Sequence, residues 1–339
     1  MKSRIVGVIV NTTLVVAFQY VDPSLFASGI AHVFNIFFAN ERMINVKKIA
    51  PIFVGLGAIS FGVPASLFKI ARREGVANGP LLFWSFLSAV VILGVIQVVR
   101  HARLKGQATS WKQIGLVIAA GTASGFTNTF YIQALKLISV AVAAVMLMQA
   151  VWLSTLLGAV IHHRRPSRLQ TVSIVLVLLG TILAAGLFPI TQALSPWGLL
   201  LSFLAACSYA CTMQFTASLG NNLDPLSKTW LLCLGAFILI AILWSPQLIT
   251  APTTPATVGW GVLIALFSMV FPLVMYSLFM PYLELGIGPI LSSLELPASI
   301  VVAFVLLGET VDWVQMVGVV VIITAVILPN VLNRRRARP

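Results

Sequence analysis

The chain has 339 residues, 59% of them hydrophobic and only 9% charged, and no soluble domain of that length could bury so much apolar surface, the soluble norm being roughly half apolar. A formal net charge of +13 would suit nucleic acid in a soluble protein, but here the basic residues cluster between apolar runs, so the partner they imply is a lipid bilayer and not a nucleic acid. Cys207, Cys211 and Cys233 all lie inside apolar runs, which argues against a disulfide framework.

Residues 1–45 differ from the rest of the chain. Their apolar runs, 5–20 and 24–39, are broken by polar residues and fall short of the roughly 20 residues a spanning helix needs. Three readings stay open for them. Met43 is the functional start in the favoured one, because Met43-Ile44-Asn45-Val46-Lys47-Lys48 reads as a basic lead into a first membrane helix. An extra helical hairpin is the second. A signal peptide is the third, with Lys2 and Arg4 ahead of an apolar stretch and the small residues Ala27, Ser28 and Gly29 offering a cleavage site.

From residue 49 the pattern is regular. It predicts an all-α integral membrane protein with spanning helices at about 49–70, 79–99, 113–135, 138–160 and 169–187, then at about 194–217, 226–244, 258–281, 287–307 and 313–332. The domains read as an N-terminal extension, 1–45, two five-helix units, 46–190 and 191–333, and a basic tail, 334–339. One face collects fifteen basic residues, among them Lys112, Arg165, Arg168, Lys228 and the tail; the other collects Lys69, Arg72, Arg73 and Lys136. That bias places both ends of the ten-helix core in the cytoplasm.

The two units repeat. A shift of 148 residues lays Ser60-Phe61 on Ser208-Tyr209, Tyr131 on Phe279, Leu147 on Glu295 and Gln149 on Pro297, while the pairs Pro80/Pro225 and Gln170/Gln315 need a shift of about 145. Each unit has an odd number of helices, so the second enters the membrane from the opposite side, giving the inverted repeat typical of secondary transporters.

Ser292-Ser293-Leu294-Glu295-Leu296-Pro297, then Leu306-Leu307-Gly308-Glu309, Gln315 and Gly318, resemble the EamA-type transporters of the drug/metabolite transporter superfamily. The first unit carries Tyr131, Ala134-Leu135 and Ser139 in the corresponding region, but has Gln149 where a proline is common and His162-His163-Arg164-Arg165 in place of the Gly-Glu turn. The resemblance covers about residues 47–333. It implies ten helices around a central cavity lined by helices one, three, four, six, eight and nine, alternating access, and transport usually in the direction of export. It does not name the substrate, since such proteins handle amino acids, nucleobases, sugars and drugs.

Candidate binding residues follow from polar groups at membrane depth. Glu295 is a charge in the middle of an apolar span, where a charge is costly and marks a pathway unless it is simply a buried neutral acid. Ser292 and Ser299 share its helix face, and Pro297 removes one helical N–H near the Ser293 carbonyl. Gln149 with Trp152, Asn128 with Tyr131, Tyr209 and Tyr276 suit a pocket for a moderately polar, planar solute, each against the alternative of plain helix packing. Gly121 and Gly125 form a small-xxx-small packing motif, Ser60, Gly62 and Pro64 predict a kinked first helix, and Lys69 is expected to snorkel to the interface. No metal site, cofactor or catalytic residue is expected; coupling to protons through Glu295 is the one ionic partner considered. An integral-membrane enzyme lacks its motifs here, and a channel-like facilitator would show pore-lining rings.

Overall fold

The computed structural model describes residues 46–101, 110–138, 140–163, 165–185, 195–251, 253–284 and 286–336. The readings of residues 1–45 lie outside the described residues. The first membrane segment is α1 (Val46–Phe61) with α2 (Val63–Arg73), the second α3 (Asn78–His101) and the third α4 (Trp111–Ala134). The fourth is α5 (Val140–Leu147) with α6 (Ala150–His162), and the fifth α7 (Arg168–Ala184). The second half runs α8 (Pro196–Ser218), α9 (Pro225–Thr250), then α10 (Pro255–Ala265) joined to α11 (Phe271–Phe279) by a π turn at Leu266–Val270. It ends with α12 (Ile287–Ser292) and α13 (Glu295–Leu307) as the ninth segment and α14 (Trp313–Arg336) as the tenth.

The protein is therefore an all-helical membrane protein of ten segments in two repeated halves. Among the described residues seven segments are long and apolar enough to span unaided, while Arg168–Ala184 and Trp313–Leu328 are apolar but shorter. The segment not counted with either group, α4, is long but carries Ser124, Thr127 and Asn128, all of which line a cavity.

Three segments are broken near mid-membrane. The first helix breaks at Gly62, as expected, because Pro64 has no N–H to continue the ladder, and the Gly62 N–H bonds the Ile59 carbonyl at 3.0 Å instead. A Cβ at Gly62 would lie 2.6 Å from the Ser299 nitrogen, so glycine also lets α2 start directly against α13. The ninth segment breaks at Ser293 and Leu294, whose N–H groups bond Ile290 and Leu291 at 3.2 and 3.1 Å. The Ser293 carbonyl, which Pro297 deprives of its helical donor, accepts instead from the Leu296 N–H at 3.3 Å. The fourth segment breaks at Met148 and Gln149 without any proline; the Gln149 N–H bonds Met146 at 3.1 Å and the Val151 N–H bonds Met148 at 3.1 Å.

These breaks correct the register of the repeat. Ala150 and Glu295 open α6 and α13, His162 and Leu307 close them, Arg168 and Trp313 open α7 and α14, and Arg73 and Ser218 close α2 and α8, each pair 145 residues apart. The left-handed residues agree, with Gly75 matching Gly220 and His163 matching Gly308. So do the cap glutamines: Gln170 accepts from the Ser167 N–H at 2.8 Å and Gln315 from the Asp312 N–H at 2.9 Å. Tyr131 thus pairs with Tyr276 and not Phe279, and the counterpart of Glu295 is Ala150 and not Leu147. The 148-residue shift rested on short apolar look-alikes, which recur along any membrane helix.

Glycines set the closest contacts. A Cβ at Gly121 would meet the Leu232 carbonyl oxygen at 2.1 Å, and one at Gly235 would meet that of Ile118 at 1.8 Å, so α4 and α9 touch backbone to backbone. Gly318 does the same for α7 and α14, its Cβ position lying 2.2 Å from the Ala184 nitrogen.

Candidate functional site

A cavity of about 820 Å³ opens on the face that carries Arg72, Arg73 and Glu309 and descends to Glu295. The break at Ser293–Leu294 puts Glu295 in the first turn of α13, pointed into this space and partly accessible from it. Tyr209 on α8 donates its hydroxyl to Glu295 Oε2 at 3.1 Å. Tyr276 on α11 and Tyr131 on α4 lie within electrostatic reach of the same carboxylate. Phe61 completes the aromatic wall, 5.6 Å from Tyr276 and 6.4 Å from Tyr209 between ring centres. Among the described residues no cationic side chain pairs with Glu295, and its only hydrogen bond is the one from Tyr209. One carboxylate oxygen is thus available to a ligand.

The π turn shapes the opposite wall. Ser60 on α1 donates to the Phe267 carbonyl at 2.8 Å, taking up an acceptor in the turn, and the turn brings Ser268 and Met269 to the cavity.

Of the sequence-derived candidates, Glu295, Asn128, Tyr131, Tyr209 and Tyr276 all line this cavity. Ser299, named only as a neighbour on the Glu295 face, lines it too. Three candidates do not. Trp152 Nε1 donates to Gln149 Oε1 at 2.9 Å, and Gln149 Nε2 to the Val145 carbonyl at 3.2 Å, so this pair satisfies itself on its own helix. Ser292 is buried and donates to the Pro289 carbonyl at 2.6 Å, with Met213 Sδ at 3.8 Å. In the corrected register Gln149 and Trp152 fall on Leu294 and Pro297, off the helix face that carries Ser292, Glu295 and Ser299.

A second cavity, about 450 Å³, lies toward the other face, lined by His162, Gln214, Ser218, Asn221, Glu284 and Gly286 among others. Met213 borders both cavities and is itself buried, so it belongs to the wall between them. Beside it Gln214 Nε2 donates to the Ser154 carbonyl at 2.7 Å and to its hydroxyl at 3.2 Å, tying α8 to α6.

Two lysines have defined partners. Lys69, expected to snorkel to the interface, is half-exposed and pairs with Glu309 across the mouth of the large cavity. Lys228 is 1% exposed, and its ammonium donates to the Thr216 carbonyl at 2.5 Å and to Asn221 Oδ1 at 2.7 Å, so it braces the turn between α8 and α9 and is not a surface charge. Among the described residues no group of three His, Cys, Asp or Glu side chains is placed to hold a metal, and Cys207 and Cys211 are free.

A central cavity reached from one face and walled off from the other, between two repeated halves, defines a solute carrier. The EamA-like transporter family model matches residues 48–186 and 196–331, and the chain belongs to that family: it is a multi-pass membrane transporter and not an enzyme. The fold is similar to that of a solved crystal structure of a protein at 17% identity, with a TM-score of 0.69 over 84% of this chain and 97% of the other. No curated protein matches the chain.

Proposed function

We propose that this transporter moves a small metabolite bearing a protonated amine and an apolar or aromatic body, by alternating access and in the direction of export. Amino acids, nucleobases and drug-like solutes of that description are the candidates, aromatic amino acids first. The observation that carries the reading is Glu295: one carboxylate, held by Tyr209 at 3.1 Å, in a cavity whose lining also includes the aromatic side chains Phe61, Tyr131 and Tyr276. A cavity of about 820 Å³ lies within the range of roughly 300–1,000 Å³ usual for small-molecule sites. An amine would sit on the free carboxylate oxygen, with Tyr131, Tyr276 and Phe61 against the body of the solute and Asn128 bordering the site. Protons compete for the same oxygen, which makes Glu295 the place where solute and proton movement would be coupled.

The protein is read as sitting in the plasma membrane, both ends of the ten-helix core in the cytoplasm, with the large cavity facing outward. The test is efflux of radiolabelled aromatic amino acids from cells expressing the chain, and uptake into proteoliposomes with and without a pH gradient. Glu295→Gln is expected to lower transport at least about a hundredfold. Unchanged transport by this variant would overturn the binding role; transport that is lost without ever having depended on a pH gradient would overturn proton coupling alone.

A further inference from the structure

In the 145-residue register, Lys69 of α2 and Gln214 of α8 occupy the same place in the two halves, and so do Ser299 of α13 and Ser154 of α6. Yet the two pairs are in different states. Gln214 is bonded to Ser154, whereas Lys69 is turned to Glu309 and both Lys69 and Ser299 line the open cavity. The cavities correspond in the same way. His162, Gln214, Ala217 and Ser218 of the small one match Leu307, Lys69, Arg72 and Arg73 of the large one. The small cavity is thus the contracted counterpart of the large one, about 450 Å³ against about 820 Å³. In a carrier built from inverted repeats, the opposite-facing state is reached when the halves exchange these forms.

We propose that Lys69 is a mobile member of the binding site: in the opposite-facing state it leaves Glu309, reaches α13 at Ser299 as Gln214 reaches α6 at Ser154, and becomes the counter-cation of Glu295. This rests on the alternating-access reading above. The chemistry differs between the halves in one decisive respect, because Gln214 is neutral and Lys69 is charged. A lysine carried inward from the mouth loses both water and its Glu309 partner, and a buried ammonium needs a new counter-charge. Glu295 is that charge; it stands four residues before Ser299 on the same helix, about 6 Å along the axis. The first half holds no such pair, since Ala150 replaces Glu295 there. An unloaded carboxylate can then pass through the closed state neutralised by Lys69, and an amine or a proton on Glu295 competes with it.

The test uses the full chain with Cys207, Cys211 and Cys233 replaced by alanine, and needs no known solute. Ala303→Cys reports on the large cavity and Ala217→Cys on the small one, each read by its rate of labelling with a maleimide. Oxidation of a Ser154→Cys/Gln214→Cys pair is expected to fix the present state, with Ala303→Cys labelled fast. Oxidation of a Lys69→Cys/Ser299→Cys pair is expected to slow Ala303→Cys labelling about tenfold and to speed that of Ala217→Cys. Glu309→Gln, which removes only the partner Lys69 must leave, is expected to move both rates the same way by about threefold. If the first pair cross-links and the second does not, or if Glu309→Gln leaves both rates unchanged, the role of Lys69 is overturned. If neither pair ever changes the two rates in opposite directions, alternating access itself fails.

Discussion

Tyr209 and Glu295 meet across 86 residues of sequence, and their hydrogen bond orients what is, among the described residues, the one acidic group in the cavity wall below the mouth. A hydrogen bond to a charged group contributes about 1.5–3 kcal/mol. Tyr209→Phe keeps the ring against Phe61 but leaves the carboxylate unanchored, and is expected to raise the KM for transport about tenfold while the protein is still inserted and extracted normally. Initial-rate measurements in proteoliposomes check this; an unchanged KM would mean that the bond does not position Glu295 for the solute. Glu295 was legible in the sequence because a charge in a long apolar run is costly wherever it points. The three tyrosines and Asn128 were legible for a weaker reason, being polar or amphipathic at membrane depth. Gln149 and Trp152 met the same criterion but do not line the large cavity, because two polar groups three residues apart on one helix can satisfy each other. The pairing of Lys69 was not legible because its partner, Glu309, is 240 residues away, and no local rule joins them.

Helix breaks were readable only where proline announced them. Pro64 and Pro297 mark the breaks in the first and ninth segments, but the fourth breaks at Met148–Gln149 through short backbone turns alone, a demand of packing and not of local chemistry. Missing that break is what let the repeat register slip by three residues. The turns between helices show the same limit. His163 closes α6 with φ of 50°, a conformation in which its counterpart Gly308 carries no penalty. A non-glycine residue there costs about 1–2 kcal/mol, so His163→Gly is expected to stabilise the protein by about 1 kcal/mol, seen as a higher midpoint in thermal unfolding in detergent. Gly235→Ala should do the opposite. Its methyl would fall 1.8 Å from the Ile118 carbonyl oxygen, backbone that cannot rotate away, so α4 and α9 must separate. A loss of about 3 kcal/mol or more is expected from overpacking at such a contact. A midpoint that stays within a degree of the parent would show that these helices do not rely on the glycine.

At the scale of the whole molecule, the charge distribution was the most legible feature and the fold explains its one exception. Lys69, Arg72 and Arg73 sit on the face that should be poor in basic residues, but Lys69 is neutralised by Glu309, and Glu74 beside the arginine pair accepts from Trp260 Nε1 at 2.8 Å. That face also holds Lys136 and Asp312, so its four basic residues stand against three acidic ones and it is nearly neutral. On the opposite face Lys228 is sheathed by the backbone of Thr216 and the side chain of Asn221, and the remaining bias still rests on fourteen basic residues. Orientation is decided by basic residues flanking the spans, with acidic ones contributing little, so the large cavity is expected to open away from the cytoplasm. Reporter fusions in bacterial cells decide the point. Alkaline phosphatase inserted at Gly75, in the exposed turn between α2 and α3 where a Cβ would meet nothing within 4 Å, is expected to be active because that turn faces outward. The same enzyme fused after Pro339 is expected to be inactive, and green fluorescent protein at that position fluorescent. The reverse pattern would invert the molecule in its membrane. The cavity holding Glu295 would then be the cytoplasmic entrance, and this conformation would be the one that loads solute for export, not the one that releases it.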